Sequence, residues 1–253
     1  MNQQIDEPDY GNWTPRIMIY VPLSITLLFA VSSLLWSWLL IPAAFFFLAT
    51  AFIFYVRFKL SPRAGNVQDS IWDLLIEHLD WNGEGLALDI GCGNGPLAIK
   101  LAQKHRQAKV LGLDYWGNKW DYSQNLCENN AAIEGVSDRV TFQRGSAASL
   151  PFTDGSFEAV VSNFVFHEVG GVKDKRDVIR EALRVLKKGG KYAFHDEFLV
   201  KKMYGDPDDL VNTIKSWGVA KVEFKPTRDL PFIPRLLKVP FILGTMAMIR
   251  GEK

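Results

Sequence analysis

The chain has 253 residues, 48% of them hydrophobic, and a formal net charge of +1 at pH 7. This length allows one α/β domain with a sizeable core and an appended segment. Acidic and basic residues nearly balance, so the charge pattern typical of nucleic-acid binding is missing and we expect no nucleic-acid partner. The two cysteines, Cys92 and Cys127, form neither a disulfide pattern nor a metal-ligand pattern.

The first 60 residues are dominated by an apolar stretch. Residues 1–15 are polar, contain Pro8 and Pro15, and predict a short, loosely ordered tail. No charged residue occurs from residue 17 to residue 56, a length about twice the roughly 20 residues that one membrane-crossing helix needs. The tail is acidic, unlike the basic start of a signal peptide, so we do not expect cleavage.

Two tryptophans divide this stretch, because tryptophan favours the membrane interface. We predict a transmembrane hairpin with helices over residues 16–35 and 38–56, separated near Trp36 and Trp38. Basic residues flank the hairpin at one side: Arg16, Arg57, Lys59 and Arg63. By the positive-inside rule, both ends and the following domain face the cytoplasm. One alternative is a single span with an interfacial segment kinked at proline, and another is a buried core hairpin.

A turn-rich linker at residues 61–65 follows the hairpin. We therefore predict two units, a tail with two transmembrane helices over residues 1–60 and an α/β domain over residues 61–253. That domain opens with an apolar-periodic helix over residues 66–79, which comes before its first strand.

The domain is organised around a short apolar strand, a glycine turn and a helix. The strand ends at Ile90, and glycines stand at residues 91, 93 and 95. Glycine allows unusual φ values and a close approach of a ligand to the backbone. The dinucleotide fingerprint is spaced G-x-G-x-x-G, whereas these glycines are spaced G-x-G-x-G and follow Asp89. That acid would repel a pyrophosphate, and would instead orient the turn or meet a cationic part of a ligand.

The stretch Leu88-Asp-Ile-Gly-Cys-Gly-Asn-Gly95 resembles the first motif of the S-adenosylmethionine-dependent methyltransferases of the Rossmann-like class. The resemblance covers residues 66–200 and implies an α/β fold, a doubly wound sheet of seven strands whose last strand is antiparallel. It also implies S-adenosylmethionine as the cofactor, bound at the glycine turn by Asp89, Gly91, Cys92, Gly93 and Gly95.

The second predicted strand, over residues 109–114, also ends in an acid. In Rossmann-like units an acid about 20 residues beyond the glycines binds the ribose hydroxyls, and Asp114 has this spacing from Gly93. Because Tyr115 and Trp116 follow directly, one of them is expected to pack on the adenine.

The order of the next segments continues the resemblance. A third strand over residues 139–143 is followed by Ser146 and Ala147, where the family often has an acid in the first position that contacts the adenine amino group. A hydroxyl there predicts somewhat weaker cofactor binding, since one neutral hydrogen bond is worth about 0.5–1.5 kcal/mol. A Leu-Pro-Phe turn and a fourth strand over residues 157–163 follow, and Asn163 at its end is the last predicted cofactor contact.

Methyl transfer from a sulfonium needs mainly close alignment, and a base only where the acceptor must lose a proton. His167 is the predicted base, with Glu168 and His195 as alternatives, although His167 could equally be structural at its strand-to-helix turn. The run from His195 to Glu197 could also suggest a metal. Neighbouring strand residues point in opposite directions and no other cluster completes a coordination shell, so we predict no metal.

The remaining segments predict helices over residues 173–186 and 208–217, and strands over residues 191–195, 219–225 and 244–249. Residues 226–243, between the last two strands, are rich in proline and apolar residues and include Arg235 and Lys238. They predict either a loop folded on the core or a surface that enters the lipid boundary, with its basic side chains reaching the headgroups.

Together these features predict a membrane-anchored methyltransferase that acts on a small, lipophilic acceptor, such as a quinone-type or isoprenoid head or a lipid headgroup. The lipophilic character is inferred from the location alone. A nicotinamide-linked oxidoreductase is a second hypothesis, disfavoured by the glycine spacing and by Asp89. A non-catalytic membrane scaffold that keeps the fold is a third, for which Ser146 is the one indication.

Overall fold

The computed structural model describes residues 7–117, 121–240 and 242–253. It contains two compact units, one formed by Gly11–Asp69 and the other by Ser70–Lys253 together with the tail up to Tyr10. The small unit begins at Gly11 and ends at Asp69, whereas the sequence predicted a first unit over residues 1–60. The end of the tail belongs to the large unit, where hydrogen bonds described below hold it, so residues 7–10 are not the loosely ordered segment that we predicted.

The small unit contains two apolar helices, α1 over Ile17–Ser32 and α2 over Leu40–Leu60, with a 3-10 turn between them. The helices lie against each other, and the rings of Phe29 and Phe46 stack with their centroids 6.0 Å apart. Large apolar side chains elsewhere on both helices are exposed, as the 65% exposure of Leu28 illustrates.

The two predicted spans differ in length. Within the described residues, one helical segment, Ser37–Leu60, is both long enough and apolar enough to cross a membrane by length and composition. Helix α1 has 16 residues, which is fewer than the roughly 20 that a span needs. The predicted hairpin therefore contains one helix of membrane-spanning length and one shorter apolar helix.

The large unit is built on a seven-stranded sheet. Its strands are β1 Leu86–Ile90, β2 Lys109–Asp114, β3 Val140–Arg144, β4 Phe157–Asn163, β5 Leu186–Asp196, β6 Lys221–Pro226 and β7 Ala247–Glu252. They lie in the order β3-β2-β1-β4-β5-β7-β6. Strands β1 to β5 pair in parallel, whereas β7 is antiparallel to both β5 and β6. The predicted seven-stranded sheet with an antiparallel last strand is confirmed.

Helices connect β1 to β2, β2 to β3 and β4 to β5, because parallel strands need crossover connections. The helices of this unit are α3 Val67–His78, α4 Pro96–Lys104, α5 Gln124–Ile133, α6 Arg176–Arg184, α7 Lys201–Tyr204 and α8 Pro207–Ser216. The sequence predicts a helix over residues 118–133, and α5 begins later because Ser123 caps it by accepting a hydrogen bond from the Leu126 N–H. Residues 118–120 lie outside the described residues.

Two strands differ from their predicted bounds. Strand β5 already begins at Leu186, so residues 187–190, interpreted as a helix end, belong to the strand, whose pairing with β4 shifts in register there. Strand β7 begins at Ala247 instead of residue 244. Leu243 and Met246, which precede the strand, are 1% and 0% exposed. They lie in a buried loop, and because a buried loop has an apolar sequence like that of a buried strand, the predicted strand began too early.

The carboxyl ends of β1, β2, β4 and β5 lie along one edge of the sheet, where ligands of open α/β sheets bind. These ends carry Asp89, Asp114, Asn163 and Asp196. Strand β7 begins at the same edge, because Ala247 pairs with Asp196. The edge therefore gathers the polar residues that the site is built from.

Candidate active site

The turn between β1 and α4 carries its glycines in the left-handed region, with φ of 73° at Gly91, 58° at Gly93 and 83° at Gly95. A side chain at Gly91 would overlap Val165, and one at Gly95 would come within 2.9 Å of an aromatic ring. At Gly93 the nearest atoms belong to the Tyr122 ring, at 3.5 Å. Packing inside the domain thus requires glycine at the first and third positions, whereas a side chain at Gly93 would meet only ordinary van der Waals contacts, so packing does not account for that glycine.

Asp89 is 1% exposed, and its carboxylate accepts a hydrogen bond from the backbone N–H of Ala98 at 3.1 Å. That N–H lies in the first turn of α4 and has no partner within the helix. Burial raises the pKa of Asp89 to about 8; the Ala98 hydrogen bond opposes this rise and the nearby Asp114 adds to it. Of its two predicted roles, orienting the turn is the one that this position supports. Cys92 is also buried, and its backbone N–H and carbonyl are engaged within the domain, by the carbonyl of Leu113 at 3.1 Å and the N–H of Gly95 at 2.8 Å.

The end of β2 meets the glycine turn through Asp114. Its Oδ2 accepts a hydrogen bond from the Gly93 N–H at 2.9 Å, and its Oδ1 accepts one from the Trp116 N–H at 2.8 Å. Burial raises the pKa of Asp114, and the backbone hydrogen bonds partly oppose the rise. Each carboxylate oxygen can accept a further hydrogen bond. Asp114 therefore lies beside the glycine turn and keeps acceptor capacity, and its binding of ribose hydroxyls stays a prediction.

Tyr115 and Trp116 have different surroundings. Trp116 has a φ of 45°, and its indole N–H donates to the carbonyl oxygen of Gly93 at 2.9 Å. Tyr115 is 63% exposed, and its ring centroid lies 5.3 Å from the guanidinium of Arg144. Trp116 thus covers part of the glycine turn, while Tyr115 presents an exposed ring next to Asp114. Either position suits the predicted contact with adenine.

Ser146 and Ala147 follow β3 at the same edge. The N–H of Gly145 donates to the carbonyl oxygen of Asp114 at 2.9 Å, which holds this loop beside β2. Ser146 is exposed, and its Oγ accepts a hydrogen bond from the Ala148 N–H at 3.2 Å. Ala147 is buried, with 9% of its surface exposed. The hydroxyl of Ser146 therefore stands where the resembled family often has its acid.

The ends of β4 and β5 bring His167 and Asp196 together. Asp196 is 1% exposed, and its Oδ1 accepts a hydrogen bond from Nδ1 of His167 at 2.8 Å. Its Oδ2 accepts two more, from the N–H groups of Val165 at 2.9 Å and Phe166 at 2.7 Å. Because the carboxylate needs a donor, Nδ1 of His167 carries the proton and Nε2 is left as the acceptor. No sequence pattern indicated this pair; the one available signal was the position of Asp196 directly after a strand.

The surrounding charges favour the protonated form of His167. Burial opposes the imidazolium, but the charge and the hydrogen bond of Asp196, together with Glu197 and Glu168, outweigh it and raise the pKa of His167. Burial likewise opposes ionisation of Asp196, and His167 together with the backbone donors lowers the pKa of that carboxyl. Nε2 of His167 lies 3.6 Å from Oε1 of Glu168, too far for a hydrogen bond. Glu168 therefore adds charge beside the histidine.

His195 does not belong to this pair, and its predicted role as an alternative base needs correction. It is 1% exposed, with Nδ1 2.9 Å from Oδ1 of Asn163 and Nε2 2.9 Å from Oγ1 of Thr227. Burial lowers the pKa of His195 to about 4, and Asp196 only partly opposes this. The ring is therefore neutral at pH 7 and has both nitrogens engaged. It is a buried structural residue, and it also occupies the side-chain oxygen of Asn163, a predicted cofactor contact.

The residues at this edge fit S-adenosylmethionine. Gly93 is a glycine that packing does not require, Asp114 keeps acceptor capacity beside it, and Tyr115 offers an exposed aromatic surface. In the described part of the chain, no group of three or more His, Cys, Asp and Glu side chains could hold a metal ion.

Residues 88–194 match the family model described as a methyltransferase domain. The chain is 36% identical over 118 residues to 27-O-demethylrifamycin SV methyltransferase of Amycolatopsis mediterranei, a match that covers 47% of this chain and 40% of that protein. It is 31% identical over 137 residues to demethylmenaquinone methyltransferase of Lactiplantibacillus plantarum, covering 53% and 52% of the two chains. The chain therefore spans about half the length of these curated relatives or less.

The fold is also similar to that of a solved geranyl diphosphate methyltransferase in complex with S-adenosylmethionine. That match has a TM-score of 0.56 at 18% identity and covers 74% of this chain and 85% of the other. The residues matched by the family model run from β1 to β5 and include the glycine turn, Asp114 and His167. The comparisons give no support to the nicotinamide-linked oxidoreductase hypothesis, which we set aside.

Proposed function

We propose that this chain, whose residues 88–194 carry a methyltransferase domain that uses S-adenosylmethionine, is a membrane-anchored methyltransferase for a small, lipophilic acceptor. One observation carries the proposal. The glycine turn with Asp114 follows β1 and β2, the His167–Asp196 pair follows β4 and β5, and β1 lies next to β4 in the sheet. A cofactor subsite and a basic group thus adjoin at one crevice.

When bound, S-adenosylmethionine supplies an electrophilic methyl group on its sulfonium. Gly93 and Asp114 hold and orient the cofactor. Nε2 of His167 accepts the proton that an acceptor hydroxyl or amine loses, and Asp196 stabilises the imidazolium that forms. The proposed acceptor therefore carries an O–H or N–H group, and one relative is named for methylation at oxygen.

The exposed apolar surface of the small unit supports the membrane anchor. The most apolar 18-residue window of the segment Ser37–Leu60 has a mean hydropathy of 2.3, and only 22% of this window is buried. Exposed apolar area costs about 25 cal/mol per Å² in water, a cost that lipid removes. We propose two spans with both ends at the cytoplasmic face, because Arg57 and Lys59 lie in the last turn of α2 and Arg16 precedes α1. An interfacial α1 is the alternative that its 16 residues leave open.

Residues 226–243 are proposed to touch the lipid boundary over a smaller surface than the sequence suggested. Several apolar members are buried in the core of the large unit, namely Ile233, Leu237 and Leu243. Leu236 and Val239 remain 57% and 39% exposed, and basic residues stand beside both. Phe241 lies outside the described residues. We propose that these two side chains make the contact, with the rest of the loop folded on the core.

The lipophilic character of the proposed acceptor, and not its O–H or N–H group, agrees with the names of two similar proteins. One is named for demethylmenaquinone and one for geranyl diphosphate. Anchoring at a bilayer would concentrate such acceptors where the enzyme is held, which is the physical reason for combining the anchor with this substrate class.

The test is an incorporation assay with the full-length protein in lipid nanodiscs, radiolabelled S-adenosylmethionine and a total membrane extract. We expect label in the fraction that organic solvent extracts. Gly93→Ala should abolish it, because a methyl group there narrows the approach to the turn. Gly135→Ala is the matched control, since Gly135 also has a positive φ, 69°, but has no atom near its Cβ position.

Two results would count against the proposal. Label confined to water-soluble products would overturn the lipophilic acceptor while leaving the methyltransferase. No label in any fraction, from a protein that binds S-adenosylhomocysteine, would favour the non-catalytic scaffold.

A further inference from the structure

Two asparagines near the glycine turn are almost completely buried, and both bind the backbone of the N-terminal tail. Asn94 lies within the turn and Asn130 lies on α5, and each is 1% exposed. Their Nδ2 groups donate to the carbonyl oxygen of Asp9, at 3.1 Å from Asn94 and 2.9 Å from Asn130. The N–H of Asp9 donates in return to Oδ1 of Asn130 at 2.9 Å. The backbone of Asp9 and the amide of Asn130 therefore pair in both directions.

The same two amides hold the turn itself. Nδ2 of Asn130 also donates to the carbonyl oxygen of Asn94 at 2.9 Å, and Oδ1 of Asn94 accepts from the N–H of Ser123 at 3.1 Å. Ser123 is the cap of α5. The tail, the glycine turn and the start of α5 thus share one hydrogen-bond network. A buried polar group left without its partner is destabilising, so this network depends on the tail.

Tyr10 fixes the tail one residue further on. Its hydroxyl donates to Oε1 of Glu134 at 3.0 Å, and its ring meets the Trp72 ring edge to face at 5.9 Å. Contacts with α3 and with the residue that follows α5 therefore hold Tyr10 next to the asparagine network.

We infer that residues 7–10 are a positioning element of the cofactor site. The backbone of Asp9 holds Asn94 and Asn130, and these hold the segment from Gly93 to Gly95 in the geometry that receives the cofactor. The inference rests on the assignment of the glycine turn to S-adenosylmethionine, and not on the acceptor or on the membrane anchor. Asn94 and Asn130 are positioning residues, since they act through the turn.

The test is calorimetric titration of the full-length protein, in nanodiscs, with S-adenosylhomocysteine. Three variants are compared: Asn130→Ala, replacement of residues 7–10 by Gly-Ser-Gly-Ser, and both changes together. Each single change should weaken binding about tenfold, which corresponds to about 1.4 kcal/mol. The combined variant should bind no more weakly than either single variant, because both changes remove the same network. Asn129→Ala, at an exposed neighbour on the same helix, should bind like the wild type.

Unchanged affinity of the tail variant overturns the inference. Fully additive losses overturn it too, because the tail and Asn130 would then act independently. A role in general stability alone would lower the unfolding temperature without this non-additive loss of affinity.

Hydrogen exchange on the wild type gives a second test that needs no variant. A tail that strengthens cofactor binding must itself be stabilised by the bound cofactor to the same extent, so saturating S-adenosylhomocysteine should slow exchange of the Asp9 amide. Unchanged exchange in a protein that binds the ligand overturns the inference. Failure of the wild type to bind S-adenosylhomocysteine would instead overturn the cofactor assignment.

Discussion

Nδ1 of His167 lies 2.8 Å from Oδ1 of Asp196, and this contact joins the ends of two neighbouring strands at the acceptor side of the site. The carboxylate cannot turn away, because the Glu197 N–H donates to the same oxygen at 2.7 Å and the Tyr204 hydroxyl donates to it at 3.2 Å. The pairing orients the ring of His167 and leaves Nε2 as the atom with which the proposed base would accept a proton.

Replacing His167 by alanine should lower turnover about 10²- to 10⁴-fold, the usual contribution of a general base. The affinity for S-adenosylhomocysteine should stay near the wild-type value, because His167 follows β4, whereas the glycine turn and Asp114 follow β1 and β2. Initial rates and calorimetry measure the two quantities. His78→Ala is the control, since His78 caps its own helix through the Leu74 carbonyl. Full activity at every pH would give His167 a structural role.

The pH dependence of turnover should report the pair directly. The pKa of His167 is raised above its ordinary 6.5, so the base is protonated and inactive below a pH that lies above 6.5. Asp196→Asn removes the main negative charge that raises the pKa of His167, while the burial that lowers this pKa remains. The acid limb of kcat should therefore move to lower pH, and the plateau should fall because the ring is less well oriented. An acid limb that does not move would contradict the assignment.

His195→Ala should affect stability and not chemistry. The change leaves polar atoms of Asn163 and Thr227 without their partner and opens a cavity, for a loss of about 2–4 kcal/mol in the free energy of unfolding. Turnover per folded molecule should be close to that of the wild type. Denaturant unfolding measures the stability, and rates normalised to the amount of folded protein measure the turnover. A large loss of turnover in a variant of wild-type stability would mean that His195 takes part in catalysis.

The same residue predicts part of the acid sensitivity of the protein. The pKa of His195 falls from 6.5 to about 4 on burial, so the unfolded state takes up its proton first as the pH falls. The wild type should therefore lose stability between pH 6.5 and about pH 4. His195→Ala should lose less over this interval, as unfolding temperatures at several pH values would show. Equal losses would mean that other groups govern the acid response.

Asp114→Ala should weaken the binding of S-adenosylhomocysteine by about tenfold or more, equivalent to at least about 1.4 kcal/mol. The change removes the predicted ribose acceptor and also frees the N–H groups of Gly93 and Trp116 that the carboxylate holds. Asp138→Ala, at a side chain that is 72% exposed, is the matched control. Calorimetric affinity equal to that of the wild type would refute the ribose assignment.

The sequence alone determined those features that depend on residues close together in the chain. The apolar run of β1, the glycine spacing and the position of Asp114 predicted a strand, a turn and a second strand, and the structure contains them in that arrangement. The uncharged stretch likewise predicted apolar helices, since composition alone decides whether a helix can face lipid. These features need no knowledge of distant residues.

Only the tertiary structure decided which distant groups meet. His167 and Asp196 are 29 residues apart, and Asn94 is 85 residues from Asp9, so no spacing rule connects them. The burial of His195 and the shared edge of β5 and β7 likewise depend on how strands order themselves in the sheet. Periodicity and composition describe each segment separately, whereas hydrogen bonding and desolvation depend on the neighbours that packing brings to it.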